Sequence, residues 1–385
     1  MPPGGRTAFP PAFLPEPWLV RREEEGAFVF DPFPGGRVFR LSASELAALD
    51  YLLSGGLARP PSPGALSRFL VRSRAFLRIP PAAARLLSRG RPPAGEAASG
   101  EPLPPKGPAS LPLRLSFLVT DECARACPWC CVRIAPPGEG LSRCGWIFPA
   151  PGELASLASP GGTGFHLHGG EPLLCAGLPA FTAFLSGCGF VVSLSTRLLP
   201  PTSFWRDMSR AGLVLLQLSW DVSRADLGPF ASSVAAARSA GLDVVVNVVM
   251  SAANVRRASA DMLRIVLDAG ADEIRFTPLQ PSLHRPDALR YAASPDETAA
   301  LAERVGHLRG VVLENAFPVP PESCEPDPVS LCLAADGFAY PCDRVAFLPR
   351  YRLADWRAGG LLAAWETSRS SLRPFRCPFG EGKAV

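Results

Sequence analysis

The chain has 385 residues, a formal net charge of +4 and 47% hydrophobic residues. No apolar run reaches the ~18 residues that a bilayer span needs, and the opening MPPGGRTAFPPAF lacks the basic start and apolar core of a secretory signal. The positive charge is almost entirely arginine, scattered without a block of five or six basic residues, so membrane and nucleic acid are not expected partners and a soluble, cytoplasmic protein is.

Residues 1–90 read as a first unit. WLVRR and GAFVF are short strands, and Ser42-Ala43-Ser44-Glu45 is a capping box opening the helix SELAALDYLL, with further helical stretches near 64–72 and 80–89. This order resembles the small winged-helix-like domain that recognises peptides in pathways modifying ribosomally made peptides. An extension without that role fits the same pattern. The stretch 91–111, RPPAGEAASGEPLPPKGPAS and the leucine after it, is too rich in Pro, Gly, Ala and Ser for a regular element and reads as a linker.

From 112 to 310, apolar runs alternate with helical stretches. LRLSFLV, GFHLH, FVVSLS, LVLLQLS, DVVVNVV and EIRFTPL are the strands, with helices at 176–186, 228–240 and 255–269 between them. Continuous apolar strands separated by helices imply βαβ units and a parallel sheet covered on both faces, so the class is α/β and six strands suit a partial barrel. A last helix starts at Ser294-Pro295-Asp296-Glu297, where serine caps, proline takes the first turn and glutamate closes the box. Residues 311–385 break the alternation with Cys, Pro and Gly and read as a small metal-stapled module.

Eleven cysteines, an odd count, do not suit disulfides in a reducing compartment. Their grouping points to two metal sites. Cys123, Cys127 and Cys130 give C-x3-C-x2-C directly after the first barrel strand, and three thiolates there can hold three irons of a [4Fe-4S] cube, leaving the fourth iron open. A structural zinc wants four ligands in paired C-x2-C units, which this spacing does not offer. Cys131 reads as a bystander, and Cys144, Cys175 and Cys188 as buried or free thiols.

About forty residues later, GFHLHGGEPLL places His168, Gly169, Gly170, Glu171 and Pro172 at the end of the second strand, where a barrel's active-site loop belongs. The two glycines let the backbone approach a ligand, and Glu171 or nearby backbone groups can bind an ammonium. His166, two residues before His168, reads as a satisfied core histidine.

Together these motifs resemble the radical S-adenosylmethionine (SAM) superfamily over about residues 112–310. The resemblance implies a TIM-like (βα)6 partial barrel in which SAM chelates the open iron and is split to a 5′-deoxyadenosyl radical, with an electron from flavodoxin or ferredoxin. It also implies that Ser195 and Thr196, ending the third strand, and Ser219 and Asp221, after the fourth, lie near SAM. SLSTRLL departs from the commoner T-N-G ending, which leaves ordinary strand-end capping open for these positions. Asn247 and Arg275, in the fifth and sixth strands, face either the barrel interior or solvent.

Cys324-x12-Gly337-x4-Cys342 looks like the opening of a SPASM or twitch extension. With Cys332 and Cys377 it implies one auxiliary [4Fe-4S] cluster, and a closed zinc site is the alternative. The expectation is a peptide or protein maturase. A sulfatase- or cofactor-maturing enzyme shares these features, and a noncatalytic iron-sulfur scaffold or electron carrier is the alternative from another class.

Overall fold

A computed structural model describes residues 19–23, 26–30, 38–53, 111–140 apart from 126, 133 and 134, 163–314 apart from 224 and 281, and 330–372. The chain divides into two compact units, residues 1–107 with 160–162 and residues 108–159 with 163–385.

In the first unit, strands β1 (Leu19–Glu23), β2 (Gly26–Phe30) and β3 (Val38–Ser42) form an antiparallel sheet in that order. Helix α1 (Ala43–Leu53) follows without a break. The capping box at its start is formed: Ser42 N donates to Glu45 Oε2 at 2.9 Å, and Glu45 N returns a bond to Ser42 Oγ at 3.4 Å. Ala48, Leu49 and Leu52 give α1 a buried face, and Val29 of β2 and Leu41 of β3 are buried. The strand β3 was not legible in the sequence. The expected helical stretches near 64–72 and 80–89, and the linker up to residue 110, lie outside the described residues.

The second unit is built on six parallel strands, which match the six apolar runs. They are β4 (Arg114–Thr120), β5 (Gly164–Gly169), β6 (Val191–Thr196), β7 (Leu213–Ser219), β8 (Asp243–Val249) and β9 (Glu273–Thr277), hydrogen-bonded in sequence order. Helices α2 (Leu178–Gly187), α3 (Thr202–Arg210), α4 (Leu227–Ser239), α5 (Ala252–Arg257), α6 (Ala260–Asp268) and α7 (Pro295–Val305) lie along the chain between and after them. This is a mixed α/β fold with a large parallel sheet, as a TIM-like core requires.

One face of the sheet is apolar and packs against helices. Leu115, Phe117 and Val119 of β4 join Phe165 of β5, Phe181 and Leu185 of α2, and Trp205 of α3 in one core, with Phe117, Phe165 and Phe181 meeting edge to face. Burying each such side chain contributes about 1.5–3 kcal/mol. On the opposite face the side chains turn polar. Cys332, Ser116, His166 and Ser193 occupy register-matched positions on four neighbouring strands.

The single helix expected over 255–269 is two. Ser251 accepts from Asn254 N to cap α5, and Ser259, extended at φ −123°, accepts from Met262 N to cap α6, so a second capping serine restarts the chain as a new helix. The helix at Ser294 forms as expected, with both bonds of its box in place.

The described part of the C-terminal segment extends the same sheet. Strand β10 (Val311–Leu313) runs parallel to β9, and β11 (Ser330–Ala334) runs parallel to β4, its register fixed from Ser330↔Arg114 to Ala334↔Leu118. β12 (Phe338–Tyr340) and β13 (Ala354–Asp355) continue the sheet antiparallel. Helices α8 (Trp356–Gly359) and α9 (Leu361–Leu372) send Trp356, Leu361 and Trp365 into the core that contains Phe117. Sheet pairing and apolar burial thus contribute to holding residues 330–372. No helix among the described residues is long and apolar enough to cross a membrane.

Candidate active site

The cysteine loop leaves the end of β4 and is closed at its neck by backbone bonds. Cys123 N donates to Ala135 O at 3.0 Å, and Ala135 N to Asp121 O at 2.7 Å. The Glu122 carboxylate accepts from Gly138 N at 2.9 Å and Gly140 N at 3.3 Å, which ties down the return of the loop. Within it, Cys130 N donates to Cys127 O at 3.2 Å, turning the chain so that neighbouring cysteines approach one another.

Cys123, Cys127 and Cys130 are each half-buried at the residue level; Cys130 feels the charge of the other two, and Cys123 that of Cys127. Burial pushes the Cys130 thiol up to about 12, with Cys127 and Cys123 adding to the rise. Burial raises Cys123 as well, and the charge of Glu171 contributes. Such thiols hold their protons at neutral pH until a cation replaces them, which suits iron ligands rather than exposed nucleophiles. Among the described residues, no three Cys, His, Asp or Glu side chains close on a single metal ion.

The glycine turn sits directly on the root of this loop. Gly170 N donates to Thr120 O and Glu171 N to Glu122 O, both at 2.7 Å. A Cβ on Gly169 would overlap Thr120 O, and one on Gly170 would overlap Glu122 O, while Gly169 also has φ +134°. The close approach these glycines allow in the structure is thus to the cysteine loop.

Glu171 is buried and its carboxylate is engaged. Oε1 accepts from Leu173 N at 3.1 Å and from Thr196 Oγ1 at 2.6 Å, and Oε2 accepts from Arg197 N at 3.2 Å. Pro172 begins the short 3-10 turn that Glu171 caps. Ser195, the neighbour of Thr196, bonds through Oγ to His166 Nε2 at 2.9 Å, while His166 Nδ1 meets Ser193 Oγ at 2.8 Å. His166 is buried, and burial holds its pKa well below the usual histidine value, with His168 adding to the effect. His168 is half-buried at the strand end, 5.2 Å from the His166 ring, and its Nε2 is sealed from solvent without a hydrogen-bond partner.

Arg197, which the sequence reading passed over, joins the two halves of the site. Its Nη1 donates to Cys127 Sγ at 2.7 Å and its Nη2 to Asp221 Oδ2 at 2.7 Å. Asp221 is buried, and its Oδ1 accepts from Ser223 Oγ at 2.7 Å. Trp129, Arg197, Ser219, Asp221, Asn247 and Asn254 line a pocket beside the cysteine loop. Asn254 is a second residue not singled out. Its amide is buried and bridges Ser223 N and Val249 O, bracing the ends of β7 and β8. Of the two strand polar residues left open, Asn247 lines this pocket, and buried Arg275 pairs with Glu273 at 2.8 Å and Glu314 at 3.2 Å.

Of the four C-terminal cysteines, Cys324 and Cys377 lie outside the described residues. Cys332 is buried in β11 against Leu118 and Tyr340, and Cys342 follows β12 close enough for its charge to act on Cys332. Burial raises Cys332 well above the usual thiol value, and Asp343 adds to it. Cys131 packs against the same apolar cluster.

No family model matches the chain, and no curated protein matches it. Solved structures do. Streptococcus suis SuiB bound to precursor peptide SuiA aligns with a TM-score of 0.56 at 13% identity, covering 95% of this chain and 91% of that one. The chain has the fold of SuiB. SuiB bound to S-adenosylmethionine gives 0.53 at 14% identity, again over 95% and 91%, and SuiB by itself gives 0.53 at 12% identity over 94% and 90%. The likeness is one of fold, and the mixed α/β architecture around a large parallel sheet agrees with the class expected from the sequence.

Proposed function

We propose that this protein is a radical SAM enzyme that modifies a ribosomally made peptide or a protein. The observation that carries the reading is the direct bonding of the Gly170-Glu171 turn to Thr120 and Glu122 at the root of the Cys123, Cys127, Cys130 loop. Two motifs far apart in sequence thereby become one site at the ends of β4 and β5.

The donor set fits a [4Fe-4S] cluster, since three thiols lie in one loop shaped by backbone bonds and two of them are kept protonated by burial until metal binds. Such a cluster would supply the reductive cleavage of SAM. Every other part falls to the chain. Cys123, Cys127 and Cys130 are the iron ligands. Glu171 fixes Thr196 and Arg197, and Asp221 orients the Arg197 guanidinium. His168, Gly169, Gly170, Pro172, Ser195, Ser219 and Asp221 belong to the surroundings of SAM in this reading, beside the pocket that Trp129 lines.

Cys324, Cys332, Cys342 and Cys377 would hold the auxiliary cluster, and flavodoxin or ferredoxin would supply the electron. The first unit, residues 1–90, would recognise the peptide. The structure of SuiB bound to its precursor peptide SuiA supports the substrate class.

Co-expression with a short peptide encoded beside this protein's own gene tests the substrate. A change in peptide mass with the wild type, absent with Cys123→Ala, is expected. An unchanged peptide beside protein that cleaves SAM would overturn the peptide assignment and leave the cofactor chemistry standing.

A further inference from the structure

Arg197 is held at three points, two of them on its guanidinium. Its backbone N–H is bonded to Glu171, its Nη2 to buried Asp221, and its Nη1 points at Cys127 Sγ at 2.7 Å. Its side chain is only 20% exposed, and that of Asp221 is 3% exposed, so the charge acts where water screens it little. A planar donor fork with one tine fixed on a carboxylate leaves the other tine in a set direction, which a flexible ammonium would not reproduce. The direction chosen here is a cysteine of the iron-binding loop.

We propose that Arg197 is a positioning residue that tunes the redox potential of the cluster, by donating a charge-assisted hydrogen bond to the Cys127 thiolate. This rests on the proposed iron-sulfur reading. Hydrogen bonds to ligand sulfur and nearby positive charge are among the levers that set cluster potential, because they stabilise the state with more negative charge. One electron from an external low-potential donor enters the cluster on reduction. No bond is made or broken at Arg197, which keeps its proton throughout. Removing the guanidinium should make reduction harder, and replacing it with lysine should restore part of the effect.

The test is potentiometric titration, followed by electron paramagnetic resonance, of the anaerobically reconstituted full chain, without SAM. Wild type is compared with Arg197→Gln and Arg197→Lys, with iron and sulfide content and thermal midpoint measured on each. For Arg197→Gln the expected result is full iron content and a reduction equilibrium shifted about tenfold against the reduced form, or about 59 mV for one electron. Arg197→Lys should fall between. Equal potentials in all three loaded proteins would overturn the proposal. Loss of iron from both variants with the fold retained would also overturn it, because Arg197 would then serve cluster assembly. If the wild type itself formed no iron-sulfur cluster, the underlying reading would fail rather than this one.

Discussion

Glu171 Oε1 accepts the hydroxyl of Thr196 at 2.6 Å, so a single buried carboxylate ties the turn after β5 to the last residue of β6. Its other oxygen takes the N–H of the next residue, Arg197. Thr196→Val keeps the shape and removes one donor from a buried acceptor. The expected loss is about 1.5–3 kcal/mol, the usual range for a hydrogen bond to a charged group, read as a lower urea midpoint at unchanged slope. Thr196→Ser should recover most of it. A change below about 0.5 kcal/mol, typical of a surface substitution, would mean that the carboxylate finds another donor.

Two glycine substitutions should have opposite outcomes. Gly170→Ala forces a Cβ into the backbone of Glu122, and backbone cannot yield as a flexible side chain would. We expect a cost above about 2 kcal/mol, in the overpacking range, together with reduced iron uptake. Gly228→Ala meets nothing within 4 Å in the first turn of α4. It should leave iron content unchanged and raise stability by a few tenths to about 1 kcal/mol, as an unhindered glycine-to-alanine change does.

The contrast shows how far the sequence was legible. Six apolar runs bounded by helices located the parallel strands β4 to β9, because a doubly covered strand is apolar throughout and betrays itself locally. Strand β11 did not. SLCLA is short, its cysteine suggested a metal ligand, and its partner β4 lies 216 residues away in the chain. Such a pairing has no local signal. For the same reason the glycine turn was recognised while the group it approaches was not: only the fold brings Gly170 against Glu122. Arg197 had a faint signal, a lone arginine directly after a strand-ending threonine in SLSTRLL. Asn254, inside a helix, had none.

The pH dependence of stability follows from His166. Its pKa in the folded protein lies well below the ordinary value of 6.5, so between the two values the unfolded chain binds the extra proton. Its neutral form thus contributes stability that is fully present above 6.5 and is lost as pH falls below it toward the folded value. We expect the denaturation midpoint to drop as pH is lowered from 7 to 5, and His166→Gln to flatten that dependence. An equally steep fall in the variant would place the effect elsewhere.

Cluster loading should release protons. Cys130 is pushed up to about 12 by burial, and Cys123 is raised as well, so both enter the reaction as thiols. Iron and sulfide incorporation should therefore acidify a weakly buffered anaerobic solution, and should run faster at pH 8.5 than at pH 7. Loading that is fastest at pH 7 would contradict protonated thiols in the empty loop.

The most direct measurement is SAM cleavage by the anaerobically reconstituted protein. Dithionite and SAM are added, and 5′-deoxyadenosine is quantified by chromatography, with Cys123→Ala/Cys127→Ala/Cys130→Ala alongside. The account predicts 5′-deoxyadenosine from the wild type and none from the triple variant. Iron-loaded wild type that never forms it, even with candidate peptides present, would contradict the account and leave an electron-transfer or scaffold role.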